Sequence, residues 1–378
     1  MNKENKTVLQ VVAAMDQGGV EQGTHDMAIY IKQQGWKSMV ASNGGRMTLG
    51  LTDKGIKHFR MPLKKRNPLA ILCNAQCLIK IIKKHNVDIL HTRSRAPAWA
   101  ALIASRATGV PLITSFHGTH KIQNKAKWIY NSVMVKGVFT IANSQFIWGH
   151  IIKNYRLPKN KLRLAPRGVD PSVFNRGNVT VSDKNALRDQ WQLGESPIIL
   201  MPGRLTRWKG QAVFIEALAE IKDMEWKALI VGGADKKKKY AKQLKTLVKK
   251  YKLEDRVIFT GGQSNLAPYY ALARVTVSAS TEPEAFGRVA IESQAMATPV
   301  VATAHGGSLE TVKEGETGFL VPPGDSRTMA KMLRQVMLDA NESARMGDNG
   351  YHWVQNNFTI SLMCKKEFDV YREVLKQK

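Results

Sequence analysis

The sequence predicts an α/β fold with two doubly wound parallel sheets, each covered by helices. Short apolar runs alternate with helical patterns along most of the 378 residues, as they do in repeated β-α-β units. The alternation pauses between Arg163 and Gly194, where Pro and Gly cluster, and then begins again. A hydrophobic content of 43% is sufficient for two packed cores. We therefore expect one domain at 1–170, a second at 171–360 and a final helix at 361–378.

In the first half, the alternation begins with an apolar run that fits a first strand better than a signal peptide. The predicted strands lie at 8–13, 38–41, 89–91, 112–116 and 137–142, and the predicted helices at 20–34, 69–85, 96–108 and from 144 onward.

In the second half, a helix at 182–192 precedes the point where the alternation begins again. The predicted strands lie at 198–201, 227–231, 257–260, 275–278, 300–303 and 317–325, and the predicted helices at 211–222, 236–252 and 361–376. Open parallel sheets bind ligands beyond the carboxyl ends of their strands. Two such sheets that face each other would enclose a cleft, so the loops after strands are the candidate sites.

Positive charge is concentrated in the first half of the chain. The net charge is +27, and residues 1–170 carry 27 Lys and Arg against 7 Asp and Glu. A solvated Lys-rich surface, an anionic membrane, an acidic substrate or nucleic acid would each account for this excess. Nucleic acid is disfavoured, because the sequence lacks a zinc finger, a cluster of exposed aromatics and a helix-turn-helix pattern.

The three cysteines form no paired framework, which fits a reducing, cytoplasmic setting. Cys73 and Cys77 lie four residues apart in an apolar helical pattern, so both are expected in the core. A metal site is not expected, because a zinc site would need more Cys or His nearby and no Asp-x-Asp motif is present. No apolar stretch is long enough to span a bilayer.

Two cations follow the first strand of the second half. Arg204 and Lys209 lie in the run Pro-Gly-Arg-Leu-Thr-Arg-Trp-Lys-Gly at 202–210. Arg offers a bidentate fork and Lys a point charge, and together they suit a diphosphate. Solvated surface charge is the alternative interpretation of this loop.

Two carboxylates follow a later strand. Glu284 lies in the loop after 275–278, and Glu292 lies about two turns into the following helix. They are placed to accept hydrogen bonds from two ends of a ligand, such as sugar and ribose hydroxyls. Glycosidase-like acid and base work is the alternative, and it requires carboxylates that face each other across a scissile bond.

Two glycine pairs each follow a strand and begin a helix. They are Gly18 with Gly19 and Gly306 with Gly307. Glycine lets backbone N–H groups approach an anion, and a helix N-terminus favours negative charge, so both pairs are candidate anion sites. A simple tight turn is the alternative. The fingerprint G-x-G-x-x-G is absent, which argues against NAD binding.

Two histidines of the first half follow neighbouring predicted strands. His91 and His117 are candidates for polar contacts or for acid-base groups, although a single histidine is often structural. Arg93 and Arg95 come directly after His91 and are candidates for contacts to an acidic acceptor.

Taken in order, these motifs resemble those of the retaining GT-B glycosyltransferases of the large fourth family, also called glycosyl transferases group 1. The motifs are Gly-Gly-x-Glu, His-Gly, Gly-Arg-Leu-x₃-Lys-Gly, Glu-Ala-Phe-Gly-x₄-Glu and Gly-Gly-Ser-x-Glu. The resemblance covers almost the whole chain and is most specific at 202–210 and 284–307. The run at 91–99 is more weakly similar to bacterial envelope and lipopolysaccharide-core members. Arg167 departs from the pattern, because Asn is common at its position.

The resemblance implies two Rossmann-like domains facing across a cleft, the N-terminal one for the acceptor and the C-terminal one for the nucleotide-sugar donor, with the last helix crossing back to the N-terminal domain. Arg204 and Lys209 would stabilise the departing diphosphate, so that no metal or other cofactor is needed. The other implied donor contacts are to the phosphates for Gly18, Gly19, Gly306 and Gly307, to the sugar for His117, Glu284 and the N–H groups of Phe286 and Gly287, and to the ribose for Glu292.

We therefore expect a cytoplasmic hexosyltransferase, peripheral to the inner membrane. It would move a sugar from a UDP- or GDP-sugar to a lipid-linked or lipopolysaccharide-type acceptor, and the resemblance alone implies that the anomeric configuration is retained. A nucleotide-sugar epimerase or a phosphorylase of the same fold is the closest alternative, and a basic nucleic-acid-binding protein is a remote one. Product analysis separates an epimerase from a transferase, because an epimerase needs no acceptor.

Overall fold

The computed structural model of the chain describes residues 5–16, 18–120, 122–233 and 238–377. The chain divides into two compact units, one made of Met1–Arg167 and Ile360–Lys378 and the other of Gly168–Thr359. Each unit is built on one parallel sheet covered by helices, so the predicted α/β fold with two doubly wound sheets is confirmed.

The first unit contains a seven-stranded sheet in which all neighbouring strands are parallel. Its strands are β1 (Thr7–Val11), β2 (Lys37–Ser42), β3 (Lys57–Arg60), β4 (Ile89–Thr92), β5 (Leu112–Phe116), β6 (Phe139–Ala142) and β7 (Leu162–Leu164). Its helices are α1 (Gly19–Gln33), α2 (Thr48–Asp53), α3 (Pro68–His85), α4 (Arg95–Thr108), α5 (Lys125–Ser132), α6 (Gln145–Tyr155) and the C-terminal α15 (Ile360–Lys376). The strand order is β3-β2-β1-β4-β5-β6-β7. The order reverses between β1 and β4, which is where doubly wound sheets bind ligands.

Capping residues set the bounds of α3, the longest helix between two strands of this unit. The side chain of Asn67 accepts a hydrogen bond from the N–H of Ala70, and Pro68 occupies the first turn, where its missing N–H costs nothing. Asn86 ends the helix in the left-handed conformation at φ 49°. The helix therefore begins near the carboxyl end of β3 and returns toward the start of β4.

The C-terminal helix α15 completes the core of the first unit. Phe368 and Tyr371 of this helix pack in one apolar cluster with Met27 and Ile31 of α1 and with side chains of the sheet. Cys364 lies in the same cluster and is fully buried. The helix thus covers a face of the first sheet although it follows the second unit in sequence.

The second unit contains a six-stranded parallel sheet. Its strands are β8 (Ile198–Pro202), β9 (Lys227–Val231), β10 (Val257–Gly261), β11 (Ala273–Ser278), β12 (Val300–Thr303) and β13 (Gly318–Val321). Its helices are α7 (Val181–Gln190), α8 (Gln211–Ala219), α9 (Lys238–Lys250), α10 (Ala267–Leu272), α11 (Arg288–Ala295), α12 (Ser308–Thr311), α13 (Ser326–Leu338) and α14 (Ala340–Asn357). The strand order is β10-β9-β8-β11-β12-β13, so the reversal lies between β8 and β11.

Some local predictions are wrong. The strands β3 and β7 and the helices α2, α5, α10, α13 and α14 were not predicted. Positions 236 and 237 of the predicted helix at 236–252 lie outside the described residues. Cys73 and Cys77 are exposed rather than buried. The reason is that the face of α3 that carries Leu78 and Ile82 is the one that packs against the core. Within the part of the chain that the structure describes, no helix is both long and apolar enough to cross a membrane.

Candidate active site

Lys209 and Glu284 form an ion pair at the carboxyl edge of the second sheet. Lys209 ends the short 3₁₀ helix after β8, and Glu284 lies in the loop after β11, so the pair is at the reversal point of the strand order. The Lys209 Nζ to Glu284 Oε1 distance is 2.8 Å, and the side chains are 16% and 11% exposed. The Ser280 hydroxyl donates to the same carboxylate oxygen. A positive and a negative group are therefore held together where a ligand of this sheet would bind.

Close backbone contacts hold these two loops in register. Gly210 has φ 73°, and a Cβ on it would lie 1.8 Å from the carbonyl oxygen of Ala279. The N–H of Thr281 donates to the carbonyl of Trp208 at 2.7 Å. Only glycine permits both the left-handed conformation and this approach at position 210. The Lys209 side chain is thus presented from a loop with little freedom.

Gly306 and Gly307 press against the loop that carries Glu284. A Cβ on Gly306 would lie 2.4 Å from the Glu284 carbonyl oxygen, and one on Gly307 would lie 2.3 Å from the Cα of Phe286. The Gly307 N–H donates to the Glu284 carbonyl at 2.9 Å. This N–H is therefore occupied, and α12, which follows, has only four residues. The pair therefore packs against the Glu284 loop, and its expected role as an anion site stays a prediction.

Glu292 lies in the second turn of α11, where its carboxylate has two partners. Tyr270 donates to Oε2 at 3.0 Å, and Arg288 lies 2.8 Å from Oε1. Burial raises the pKa of Tyr270 well above its usual value, and the negative charge of Glu292 adds to this, so the phenol stays a hydrogen-bond donor. Gly287 begins the helix at φ 85° next to the buried Phe286. Because α11 begins at Arg288, Glu292 is about one turn nearer the helix start than expected.

Arg204 lies in the same loop as Lys209 and is exposed. Its carbonyl accepts a hydrogen bond from Gln211 Nε2 at 3.0 Å, which ties the loop to the start of α8. Gly232 lies so close to this loop that a Cβ on it would be 1.9 Å from the Gly203 carbonyl oxygen. The two predicted cations are therefore carried by one well-anchored loop.

In the first unit, Gly18 and Gly19 lie between β1 and α1, next to the reversal point of that sheet. Gly18 is exposed and precedes the first residue of α1, and no side chain caps this end of the helix. A Cβ on Gly18 would lie 2.6 Å from Glu21 Oε2, so the first turn already carries a carboxylate. An anionic ligand at this helix start would share the positive end of the helix with Glu21.

His91 and Arg93 are completely buried, at 0% and 1% exposure. Arg93 donates to Gln10 Oε1 at 2.7 Å and forms a bidentate pair with Glu367 of α15. His91 contacts Tyr371 and Ser115 at 2.6 and 2.7 Å.

An acceptor cannot reach side chains enclosed in this way, so the structure corrects the expected acceptor role of His91 and Arg93. They anchor α15 to the first sheet. The pKa of His91 is held well below its usual value by burial and then by the charge of Arg93.

Arg95 and His117 lie at the same edge of the first sheet. Arg95 begins α4, is partly exposed and donates to Asn131 Oδ1 at 2.9 Å. His117 follows β5, and its Nδ1 lies 3.1 Å from Arg167 Nη2. Burial and then the charge of Arg167 lower the pKa of His117 well below its usual value. Of the four predicted side chains at this edge, these two therefore stay candidates for contact with a ligand.

Comparison with known families agrees with this geometry. Residues 183–353 match the family model described as Glycosyl transferases group 1, and residues 17–173 match the one described as Glycosyltransferase Family 4. A crystal structure of a glycosyltransferase from Rickettsia africae ESF-5 is 37% identical, with a TM-score of 0.93 over 99% of this chain and 100% of that chain. The chain belongs to glycosyltransferase family 4.

One further relative and one solved structure are similar to this glycosyltransferase. A GDP-mannose-dependent alpha-(1-6)-phosphatidylinositol monomannoside mannosyltransferase from Mycolicibacterium smegmatis is 27% identical over 74% of this chain and 75% of its own. The Anabaena protein HepE, solved in complex with UDP, shares the fold with a TM-score of 0.85 at 23% identity over 97% of this chain and 100% of its own. The two sheets of this glycosyltransferase are thus the two Rossmann-like domains of the GT-B fold.

Three residues beside the predicted site of the glycosyltransferase were not expected to contribute to it. Ser280 and Tyr270 each donate a hydrogen bond to a predicted carboxylate, and Arg167 contacts His117. The sequence alone does not show which carboxylate a hydroxyl group will contact, so Ser280 and Tyr270 could not be predicted. Arg167 was visible as a departure from the family pattern, and the structure gives that departure a contact.

Proposed function

We propose that this glycosyltransferase transfers a hexose-type sugar from a UDP- or GDP-sugar, with retention of the anomeric configuration and without a metal ion. The observation that carries the proposal is the Lys209–Glu284 pair, which lies at the reversal point of the second sheet with a 2.8 Å contact. A sugar diphosphate has hydroxyl groups at one end and negative charge next to it. The pair offers a carboxylate for the hydroxyls and an ammonium for the phosphate within one small region.

The chemistry of transfer explains why a cation is needed there. Negative charge grows on the diphosphate as the glycosidic bond breaks, and a fixed positive group lowers the energy of that state. Lys209 is held in place by its loop and by Glu284, so it needs little rearrangement when the charge develops. Arg204 adds a second cation from the same loop. In this proposal the two cations do the work that a divalent metal does in other transferases.

The remaining site residues bind the donor. Glu284 accepts hydrogen bonds from hydroxyls of the transferred sugar, and Glu292 accepts them from the ribose. Glu292 suits this role because Tyr270 and Arg288 fix its orientation. The donor class is supported by the relatives, one of which is named for GDP-mannose and another solved with UDP.

Single substitutions of Lys209 and of Glu284 test this site. We expect Lys209→Met and Glu284→Gln each to lower kcat by about 100-fold or more, as loss of one transition-state contact does in other enzymes. Lys313→Met and Glu316→Gln, which break an exposed ion pair of the same unit, are the matched controls and should leave kcat unchanged. The assay follows nucleoside diphosphate release from a panel of UDP- and GDP-sugars. Full activity of both site variants would refute the assignment.

Two further measurements on the same reaction test retention and metal independence. Proton NMR of the product should show the anomeric configuration of the donor, and EDTA should leave the rate unchanged. An inverted product or a rate restored only by Mg²⁺ or Mn²⁺ would contradict these parts of the proposal.

We propose further that the acceptor is carried by a lipid and that the first unit docks on an anionic bilayer. Leu69 and Leu72 of α3 are 76% and 53% exposed, and Trp128 and Ile129 of α5 are 39% and 48% exposed. Both helices begin in loops that follow strands, so these apolar side chains lie toward the carboxyl edge of the sheet.

Cations lie next to these apolar side chains in the sequence. The exposed residues Lys64, Lys65 and Arg66 precede α3, and α3 itself contains no Asp or Glu. We call this set of exposed apolar and basic residues on α3 and α5 the docking surface. Apolar side chains ringed by Lys and Arg are typical of helices that lie in the interface of an anionic membrane. A lipid-linked acceptor would then reach the edge that carries Arg95 and His117.

A further inference from the structure

The contact between Arg167 and His117 determines which nitrogen of the imidazole carries hydrogen. Arg167 is buried, and its Nη2 lies 3.1 Å from His117 Nδ1. A guanidinium can only donate hydrogen bonds, so Nδ1 must be the acceptor. The hydrogen of the neutral ring is then on Nε2.

The second nitrogen of His117 faces no partner. Its Nε2 is shielded from solvent and has no hydrogen-bond partner among the residues that the structure describes. A buried donor without a partner is costly, so this nitrogen calls for a partner such as an oxygen of a ligand or of a water molecule. Unlike His91, His117 as a whole is partly exposed, so a bound substrate can approach the ring, and the Nε2–H group is the donor left for one of its oxygen atoms.

Charged and titratable groups around His117 all favour the neutral ring. They are His91 on β4, Arg93 directly after β4, His120 in the same loop as His117, and Arg167. Burial lowers the pKa of His117 most, and Arg167 has the largest effect among the charges. The ring therefore has no proton to give as an imidazolium at neutral pH.

We propose that Arg167 is a positioning residue that holds His117 as the Nε2–H tautomer, so that His117 supplies one hydrogen-bond donor and no acid to a bound substrate. This inference rests on the proposed function, in which a substrate reaches the edge of the first sheet that carries Arg95 and His117. It decides between the two roles that the sequence left open for His117, in favour of the polar contact.

The guanidinium of Arg167 is itself seated between two helices. A Cβ on Gly23 of α1 would lie 1.9 Å from Arg167 Nη1, and Met363 Sδ of α15 lies 3.9 Å from the same nitrogen. Gly23 lies inside a regular helix, where Ala is more favourable than Gly. Gly23→Ala should therefore displace the end of the Arg167 side chain without a cost to the helix.

The test is nitrogen NMR of the full-length protein labelled with ¹⁵N-histidine, with His117 assigned by the His117→Gln variant. We expect the wild-type ring to show hydrogen on Nε2 alone, with no protonation between pH 5.5 and 8. Gly23→Ala and Arg167→Met should both show a mixture of tautomers and a raised pKa for His117. Arg163→Met is the matched control, because it removes another arginine that binds α15 but does not touch His117. It should leave the His117 signals unchanged.

Activity provides a second readout. In Gly23→Ala and Arg167→Met, kcat/KM should fall by about tenfold at pH 7, as expected when one buried hydrogen bond to the substrate is lost. The fall should be smaller at pH 6, because a protonated ring carries hydrogen on Nε2 as well. Hydrogen on Nδ1 in the wild type would overturn the proposal. So would an unchanged His117 tautomer in both variants, because Arg167 would then be only structural. If no sugar nucleotide supports turnover, the proposed function fails, yet the NMR result still decides the role of Arg167.

Discussion

Three histidines of the first unit are held neutral inside the fold. Burial lowers the pKa of His91 and His117 well below the usual value, and it lowers the pKa of His120 to about 3. Nearby positive charges lower all three further. In the unfolded chain the same side chains titrate near pH 6.5. The unfolded state therefore binds more protons than the folded state once the pH falls below about 6.5.

We expect the free energy of unfolding to be constant above about pH 7.5 and to fall below about pH 6.5, with a slope of about 1.4 kcal/mol per pH unit for each of the three histidines. Urea unfolding between pH 5.5 and 8 measures the slope. His120→Gln should lower the slope by about 1.4 kcal/mol per pH unit, whereas His352→Gln, at an exposed position, should change it little. A stability that does not depend on pH in this range would show that the three rings are not buried as neutral groups.

The residues of the second unit's site were easier to predict than those of the first. Lys209 and Glu284 each follow a strand, so their position in the sequence predicted that both lie at the ligand-binding edge of the second sheet. His91 and Arg93 also follow or end a strand, yet they are buried. The difference is Glu367, which lies 274 residues from Arg93 on a helix that returns to the first sheet. A contact at such a separation leaves no local pattern in the sequence.

At the scale of elements, α15 depends on one buried ion pair and one partly exposed pair. The Arg93 and Glu367 side chains are 0% and 2% exposed, whereas Arg163 and Glu373 are 27% and 38% exposed. Removal of one partner from a buried pair leaves an uncompensated charge, which typically costs about 3–5 kcal/mol. An exposed pair contributes at most about 1 kcal/mol.

Arg93→Met should therefore destabilise the first unit by about 3–5 kcal/mol, and Arg163→Met by about 1 kcal/mol or less. Chemical unfolding, followed by circular dichroism, measures both. Arg93→Met combined with Glu367→Leu should recover part of the loss, because no buried charge is then left alone. Equal effects of the two single variants would contradict the role given to the buried pair.

The elements that escaped prediction have identifiable causes. The strand β3 reads Lys-His-Phe-Arg and lies at the edge of its sheet, so it lacks the apolar run that marks a buried strand. The strand β7 has only three residues and is the other edge strand. The helix α14 contains Gly347 and Gly350, which argue against a helix. Both glycines are required by close packing, since a Cβ on Gly347 would lie 2.2 Å from the Ala297 carbonyl oxygen and one on Gly350 would lie 2.9 Å from the Gln294 side chain.

At the scale of the whole molecule, the uneven charge of the chain is consistent with the docking surface of α3 and α5. We expect the protein to float with vesicles that contain anionic phosphatidylglycerol at low salt, and to bind neutral phosphatidylcholine vesicles weakly. Binding should fall as salt is raised, because Lys and Arg near an anionic surface contribute about 1 kcal/mol each and this attraction is screened.

A pair of variants separates the docking surface from general charge. Leu69→Gln combined with Leu72→Gln should weaken flotation several-fold, because two apolar side chains no longer enter the interface. Leu338→Gln is the matched control, since Leu338 is 70% exposed but lies on α13 of the second unit. Flotation that does not distinguish anionic from neutral vesicles would refute the proposed docking on an anionic bilayer. The proposed transferase site would be unaffected by that result.

The fold class was predictable because the alternation of strands and helices persists through the whole chain and is interrupted once. The strand orders could not be predicted in the same way, since they depend on which strands pair across the sheet. It is the strand order that places Lys209 beside Glu284, by making β8 and β11 neighbours.

The carboxyl edge of the second sheet at β8 and β11 should bind a sugar diphosphate through Lys209. Calorimetric titration measures this binding directly. UDP, GDP and their hexose conjugates are titrated into the wild type, Lys209→Met and Lys313→Met. We expect saturable one-to-one binding of at least one nucleotide sugar by the wild type and equal binding by Lys313→Met. The affinity of Lys209→Met should be reduced about tenfold or more, as expected for loss of a charged hydrogen bond. Equal affinity in Lys209→Met, or no binding of any of these nucleotides by the wild type, would contradict this prediction.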